Sequence, residues 1–220
     1  MSNKPEAGAW VFDFDGTLID SAPGILAAYE AVLQEAGLAP AIPLETGLIG
    51  PPLYETLMRI SGSTDADLIQ HLTEKFKQHY DTAGVLATHA YHGVDAMLNK
   101  LAAAGQPMHI STNKRLSVTL AMIEHLGWQH HFTSVYALDM AQPRLPGKTQ
   151  LLSRQLAEQG LDPACTCYVG DKHEDGLAAQ ANGLIFHYAA WGYGDLQQAQ
   201  LATGWHWLNQ PADLQLNCQI

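Results

Sequence analysis

Apolar residues in this chain recur in two rhythms, and the change falls near residue 90. Ala9-Trp10-Val11-Phe12 is an unbroken apolar run, without the polar alternation of a half-exposed strand. Such a run predicts a strand buried on both faces, as in a parallel sheet. The spacing then turns helical. Ile25, Leu26, Tyr29, Val32 and Leu33 share one face behind Ser21 and Pro23, which read as a cap and a first-turn proline. Gly37 and Pro40 end that helix, and Pro40 to Pro52 reads as loop. Helices are predicted over Leu53–Ile60 and Ala66–Tyr80, separated by Ser61-Gly62-Ser63-Thr64-Asp65.

From His92-Gly93 onward strands and helices alternate. Strands are predicted at Met108–Ser111, Phe132–Tyr136, Thr166–Val169 and Leu184–His187. Helices are predicted at Val94–Ala104, Leu116–His125, Lys148–Gln159 and Asp175–Ala181. This alternation specifies an α/β fold with a doubly wound, mostly parallel sheet. The helix-only stretch between the first two strands then reads as an insert. The expected organisation is a Rossmann-like core from 1–20 and 88–220, with an α-helical cap domain at 21–87. The tail after Leu196 gives no legible pattern.

In such sheets ligands collect at the carboxyl ends of the strands. Asp13, Thr112 and Asp171 all fall at such ends. Asp13 and Asp15 stand two apart, about 6–7 Å at strand rise, and point to one side. Gly16 permits the turn that follows. Carboxylates at the tip of a buried strand are costly unless a positive charge sits among them, and hard oxygen donors suit Mg²⁺.

Charge narrows the partners. The 220 residues carry 22 acids against 11 Lys+Arg, a net charge of -11, the opposite of the balance a nucleic-acid binder shows. No run approaches a membrane span, and the start lacks the apolar segment of a secretory leader, so a cytoplasmic protein without nucleic-acid or membrane partners is expected. Cys165 and Cys167 are too close to bridge each other easily, and the three cysteines read as thiols in a reducing compartment. The histidines show no zinc spacing. His173, lying between Asp171 and Asp175, is the one placed to reach the site rim. Trp191-Gly192-Tyr193-Gly194 reads as loop packing.

Taken singly, Thr112 is a helix cap, Lys148 a solvated helix residue and Asp175 a first-turn acid. Taken in order, Asp13-Phe14-Asp15-Gly16-Thr17, Thr112-Asn113, Lys148 and Gly170-Asp171…Asp175 resemble the haloacid dehalogenase-like hydrolase superfamily. The insert resembles the helical cap of its phosphoglycolate phosphatase-like group, and the resemblance runs from Trp10 to about Asp195. It implies a phosphatase for a small phosphorylated metabolite, working through an aspartyl-phosphate with Mg²⁺. Asp13 would be nucleophile and Asp15 general acid and base. Thr112, Asn113, Lys148 and Gly16 would hold substrate. Asp13, Asp15, Asp171 and Asp175 would serve the metal. Lys114 competes with Lys148 for the phosphate, because it directly follows Thr112-Asn113 and Lys148 precedes Thr149 rather than the family's proline. The second aspartate excludes dehalogenation. A hexose-phosphate mutase and a non-enzymatic phospho-acceptor domain are the alternatives, and the chain is expected as monomer or homodimer.

Overall fold

The computed structural model describes residues 8–194 and 196–216. Among them the chain runs β1 (Ala9–Phe12), β2 (Ile19–Asp20), α1 (Ala22–Glu35), α2 (Leu53–Ser61), α3 (Ala66–His79), β3 (His89–Ala90), α4 (Val94–Ala103) and β4 (Met108–Thr112). It continues with α5 (Leu116–His125), β5 (Ser134–Ala137), α6 (Lys148–Gln159), β6 (Thr166–Gly170), α7 (His173–Ala181), β7 (Ile185–Ala189) and β8 (Trp205–Leu208). Six strands form one parallel sheet in the order β5-β4-β1-β6-β7-β8. The α/β fold with a parallel, Rossmann-like sheet is therefore as the sequence predicts.

β1 lies at the centre of that order, and its composition explains why. All four of its residues are buried, as are all five of β4 and of β6 on either side. Val11 joins a core with Tyr168, Phe186, Leu152, Ala178 and Ala179, contributed by the neighbouring strands, α6 and α7. Trp10 and Phe12 point to the opposite face and stack at 6.4 Å. Each large apolar side chain buried this way contributes on the order of 2 kcal/mol. A register slip of one residue would exchange the two faces, so β1 is fixed in place. The residue that follows Phe12 inherits that rigidity, and that residue is Asp13. The chain turns to one side of β1 for β4 and to the other for β6, which brings the carboxyl ends of all three strands together.

The chain divides into two compact units, Met1–Ile19 with Ala90–Ile220, and Asp20–His89. The second is helical: α1 and α3 pack through Tyr29 and Phe76, with ring centroids 4.8 Å apart, and Asp65 caps α3 by accepting from the Asp67 and Leu68 N–H groups. A single π-helical turn, Tyr80–Gly84, extends α3. Ser21 makes no capping hydrogen bond. Asp20 takes that role, its Oδ1 accepting from Ala22 N at 3.1 Å.

Two further expectations need correction, and the tail after Leu196, patternless in the sequence, carries a strand: β8 pairs with β7 and closes one edge of the sheet. Its sequence, Trp-His-Trp-Leu, lacks the aliphatic run that marks the inner strands. α7 begins at His173 rather than Asp175, and Asp175 keeps the first-turn place expected of it. Cys165 is a free thiol, whereas Cys167 is disulfide-bonded rather than reduced. Among those residues no helix is long and apolar enough to cross a membrane.

Candidate active site

Asp13 stands one residue beyond β1, and its N–H donates to the Val169 carbonyl of β6 at 2.8 Å. The backbone that presents its carboxyl is thereby tied to the next strand. Lys148 is the first residue of α6, and its Nζ reaches Asp13 Oδ2 at 2.7 Å and Asp175 Oδ1 more closely still. An ammonium at a helix N-terminus opposes the helix dipole, which favours anions there. The carboxylates override that preference. Asp175 sits in the first turn of α7, where an acid is favoured. Its Oδ2 accepts from Lys172 N at 2.9 Å, and the Tyr168 hydroxyl lies 3.2 Å from its Oδ1.

Asp171 follows β6 directly. The Thr17 hydroxyl donates to its Oδ1 at 3.3 Å, and Tyr193 N donates to its Oδ2 at 2.8 Å. Both oxygens are thus oriented. Gly16, at φ +83, and Gly192 make room for it: a Cβ on Gly16 would stand 2.3 Å from Asp171 Oδ2, and one on Gly192 2.4 Å from its Cβ. One oxygen each from Asp13, Asp171 and Asp175 lie within 4.8 Å of one another, and all three residues are buried.

The remaining predicted site residues fall beside this cluster. Asp15 is outside it, and Lys114 Nζ meets its Oδ1 at 2.7 Å. The Thr112 hydroxyl, at the end of β4, accepts from Lys114 N at 3.1 Å and so caps the turn there. The Asn113 amide reaches Glu174 at 3.4 Å, while its buried Oδ1 has no partner among the described residues. The two competing lysines therefore occupy different posts, Lys148 on Asp13 and Asp175, Lys114 on Asp15. His173 does not join the cluster; it is exposed, with its ring 5.5 Å from that of Trp205.

Two contributors escape a reading of residue types. Tyr168 lies inside an apolar run, where only its hydroxyl sets it apart. The Trp191–Gly194 segment does more than pack. It holds Asp171 through a backbone N–H, anchors itself by Trp191 Nε1 to the Thr17 carbonyl at 2.9 Å, and receives Lys172 Nζ on the Tyr193 carbonyl at 3.0 Å.

One ammonium among three buried carboxyls leaves an excess of negative charge. Burial pushes the Asp13 carboxyl well above its ordinary range. Lys148 pulls it down, and Asp175 and Asp171 push it up again. Burial opposes the charge on Lys148, but Asp13 and Asp175 outweigh it and hold the ammonium above its usual value. Asp171 is raised from 3.8 to about 6 by burial and then by Asp175. A divalent cation would relieve this crowding, and the donor set, carboxylate oxygens alone, suits Mg²⁺. In the metal-free chain the folded value of Asp171 exceeds its unfolded one. The stabilisation tied to its extra proton is complete below about pH 4 and is lost as pH rises through about 6, at about 3 kcal/mol for a two-unit shift. Protons and cation compete for the same oxygens. The thermal shift produced by Mg²⁺ is therefore expected to be larger near pH 7.5 than near pH 5, as scanning calorimetry at both values would register.

Comparison with known proteins places the chain among relatives. The family described as haloacid dehalogenase-like hydrolase matches residues 10–189. A phosphoglycolate phosphatase of Xylella fastidiosa is 34% identical over 197 residues, covering 87% of this chain and 85% of the relative. The tyrosine-protein kinase PtkA of Mycobacterium tuberculosis is 29% identical over 187 residues, covering 84% of this chain and 62% of the kinase. Among solved structures, a haloacid dehalogenase-like family hydrolase from Streptococcus pneumoniae superposes with a TM-score of 0.80 at 26% identity, covering 94% of this chain and 95% of that one.

Proposed function

The chain belongs to the haloacid dehalogenase-like hydrolase family, and on that premise we propose that it is a Mg²⁺-dependent phosphatase acting on a small phosphate monoester. The observation that carries this reading is the placement of Lys148 between Asp13 and Asp175, with Asp171 beside them, at the carboxyl ends of the central strands. The phosphoglycolate phosphatases among its relatives support a small ester as substrate.

In the proposed reaction an Asp13 carboxylate oxygen attacks phosphorus. The bond from phosphorus to the ester oxygen breaks, and its electron pair leaves with that oxygen, which takes the proton held on the Asp15 carboxyl. A water then attacks the phosphoryl group on Asp13. Asp15, now a carboxylate, accepts the water's proton, and inorganic phosphate departs with Asp13 restored. Phosphoryl transfer depends on position and charge more than on new covalent machinery. Lys148 neutralises Asp13 and the incoming phosphate. Thr112 and Asn113 hold phosphate oxygens, and Gly16 keeps its backbone open beside Asp171. A cation held by Asp13, Asp171 and Asp175 would supply further charge compensation to the phosphate oxygens. Thr17 and Tyr193 keep Asp171 aimed, and Tyr168 keeps Asp175 aimed. The helical unit from Asp20 to His89 is proposed as the cap that restricts substrate size.

Phosphate release from p-nitrophenyl phosphate and a panel of small phosphate esters, with Mg²⁺ and with EDTA, tests the reading. Turnover with Mg²⁺ that EDTA abolishes is expected. Full activity in EDTA would overturn the metal's part, and an inert protein across the panel would overturn the phosphatase reading itself.

A further inference from the structure

The site holds four carboxyls and two buried ammoniums, and the ammoniums are divided between them. Lys148 serves Asp13 and Asp175. Lys114 serves Asp15, at 2.7 Å, with its side chain 7% exposed. Asp15 is not one of the three clustered carboxyls, and Lys114 is the ammonium that meets it.

The segment that carries Lys114 is pinned along its length. Its own N–H donates to Thr112 Oγ1 at 3.1 Å, and two residues on, Leu116 N donates to Asp139 Oδ1 at 3.0 Å. The strand before it, β4, is in register with β1, Ile110 opposite Phe12. A long flexible side chain is thereby launched from a fixed point toward the turn that follows β1. A solvated lysine would need none of this.

We propose that Lys114 is a positioning residue that holds the Asp15 carboxyl for proton transfer to the leaving oxygen and meets the charge left on Asp15 once that proton is gone. The inference rests on the phosphatase reading given above. As the bond from phosphorus to the ester oxygen breaks, the proton moves from Asp15 to that oxygen, and Asp15 becomes a carboxylate. A cation already in place stabilises that developing charge without reorganisation. Lys114 itself touches neither phosphorus nor the ester oxygen in this account.

The consequence is a dependence on the leaving group. An alkoxide leaves with difficulty and needs the proton, whereas p-nitrophenolate leaves with little help. Lys114→Met is expected to lower kcat on a simple alkyl phosphate by about 10²-fold, and kcat on p-nitrophenyl phosphate by less than about tenfold. KM is expected to stay nearly constant for both. Lys114→Arg, which restores a cation at the same point, is expected to recover most of the loss on the alkyl ester.

An equal loss on both esters, or a rise in KM with kcat unchanged, would overturn the proposal in favour of phosphate binding or a structural role. A loss confined to 2-phosphoglycolate, the ester with a carboxylate of its own, would overturn it in favour of substrate-charge recognition. If Lys114→Met does not fold, the Arg variant still decides: rates close to the parent's on both esters support positioning, and an equal fall on both overturns it. A parent protein inert on all three esters would instead be the failure of the phosphatase reading, and it is seen before any variant is made.

Discussion

Asp13→Asn is expected to give a folded protein without measurable turnover, a loss of roughly 10⁴-fold or more, the scale that follows removal of an essential nucleophile. The carboxamide has the shape of the carboxyl but cannot attack phosphorus and leave again as a carboxylate. The backbone bond from residue 13 to Val169 does not involve the side chain and persists. The substitution also removes one of three crowded buried carboxyls, so the metal-free melting temperature near pH 7.5 is not expected to fall. Steady-state kinetics and calorimetry on the same preparation check both halves. Turnover within about tenfold of the parent would remove Asp13 from the nucleophile's place.

Lys148→Met has the opposite signature, a loss of stability as well as rate. Its ammonium is the counter-charge of Asp13 and Asp175, and both are buried. Breaking a buried pair by removing one partner costs about 3–5 kcal/mol, because the other charge stays behind uncompensated. That cost is expected near pH 7.5 without Mg²⁺, as a lowered urea midpoint. It should shrink near pH 5, where the raised carboxyls take up protons, and shrink again with Mg²⁺ near pH 7.5. The rate should not recover with the stability, since the ammonium that neutralises Asp13 and the entering phosphate is still missing. A variant as stable as the parent in metal-free buffer at every pH would contradict the charge ledger of the site.

What the sequence made legible is what residue type and spacing determine. Buried strands announce themselves as apolar runs, and β1, β4 and β6 end in Asp13, Thr112 and Asp171 because acids and a hydroxyl interrupt those runs. The parallel order then follows from the alternation with helices, and with it the meeting of the three ends. Other contributions depend on contacts that no spacing reveals. Tyr193 orients Asp171 through its backbone N–H, which every residue but proline possesses. Tyr168 serves Asp175 from within a run where any large apolar residue would pack as well. Spacing does not reveal that Asp13 and Asp15 meet different ammoniums, Lys148 and Lys114. β8 was illegible because an edge strand of alternating aromatic and histidine residues carries no continuous apolar signal. Nothing in the sequence around Cys167 marks it as bridged, because a cystine's pairing is set by the fold rather than by local spacing.

A covalent bond between Asp13 and phosphorus is the central step of the proposed reaction, and it can be looked for directly. Mg²⁺-loaded protein would be mixed with a substrate ester, quenched in acid within the first turnover and mapped by mass spectrometry. The expected result is one phosphoryl group on the peptide that contains Asp13, absent from Asp13→Asn and decaying as inorganic phosphate appears. Phosphoryl transfer to any other residue, or hydrolysis with no phosphorylated carboxyl at any time, would contradict it.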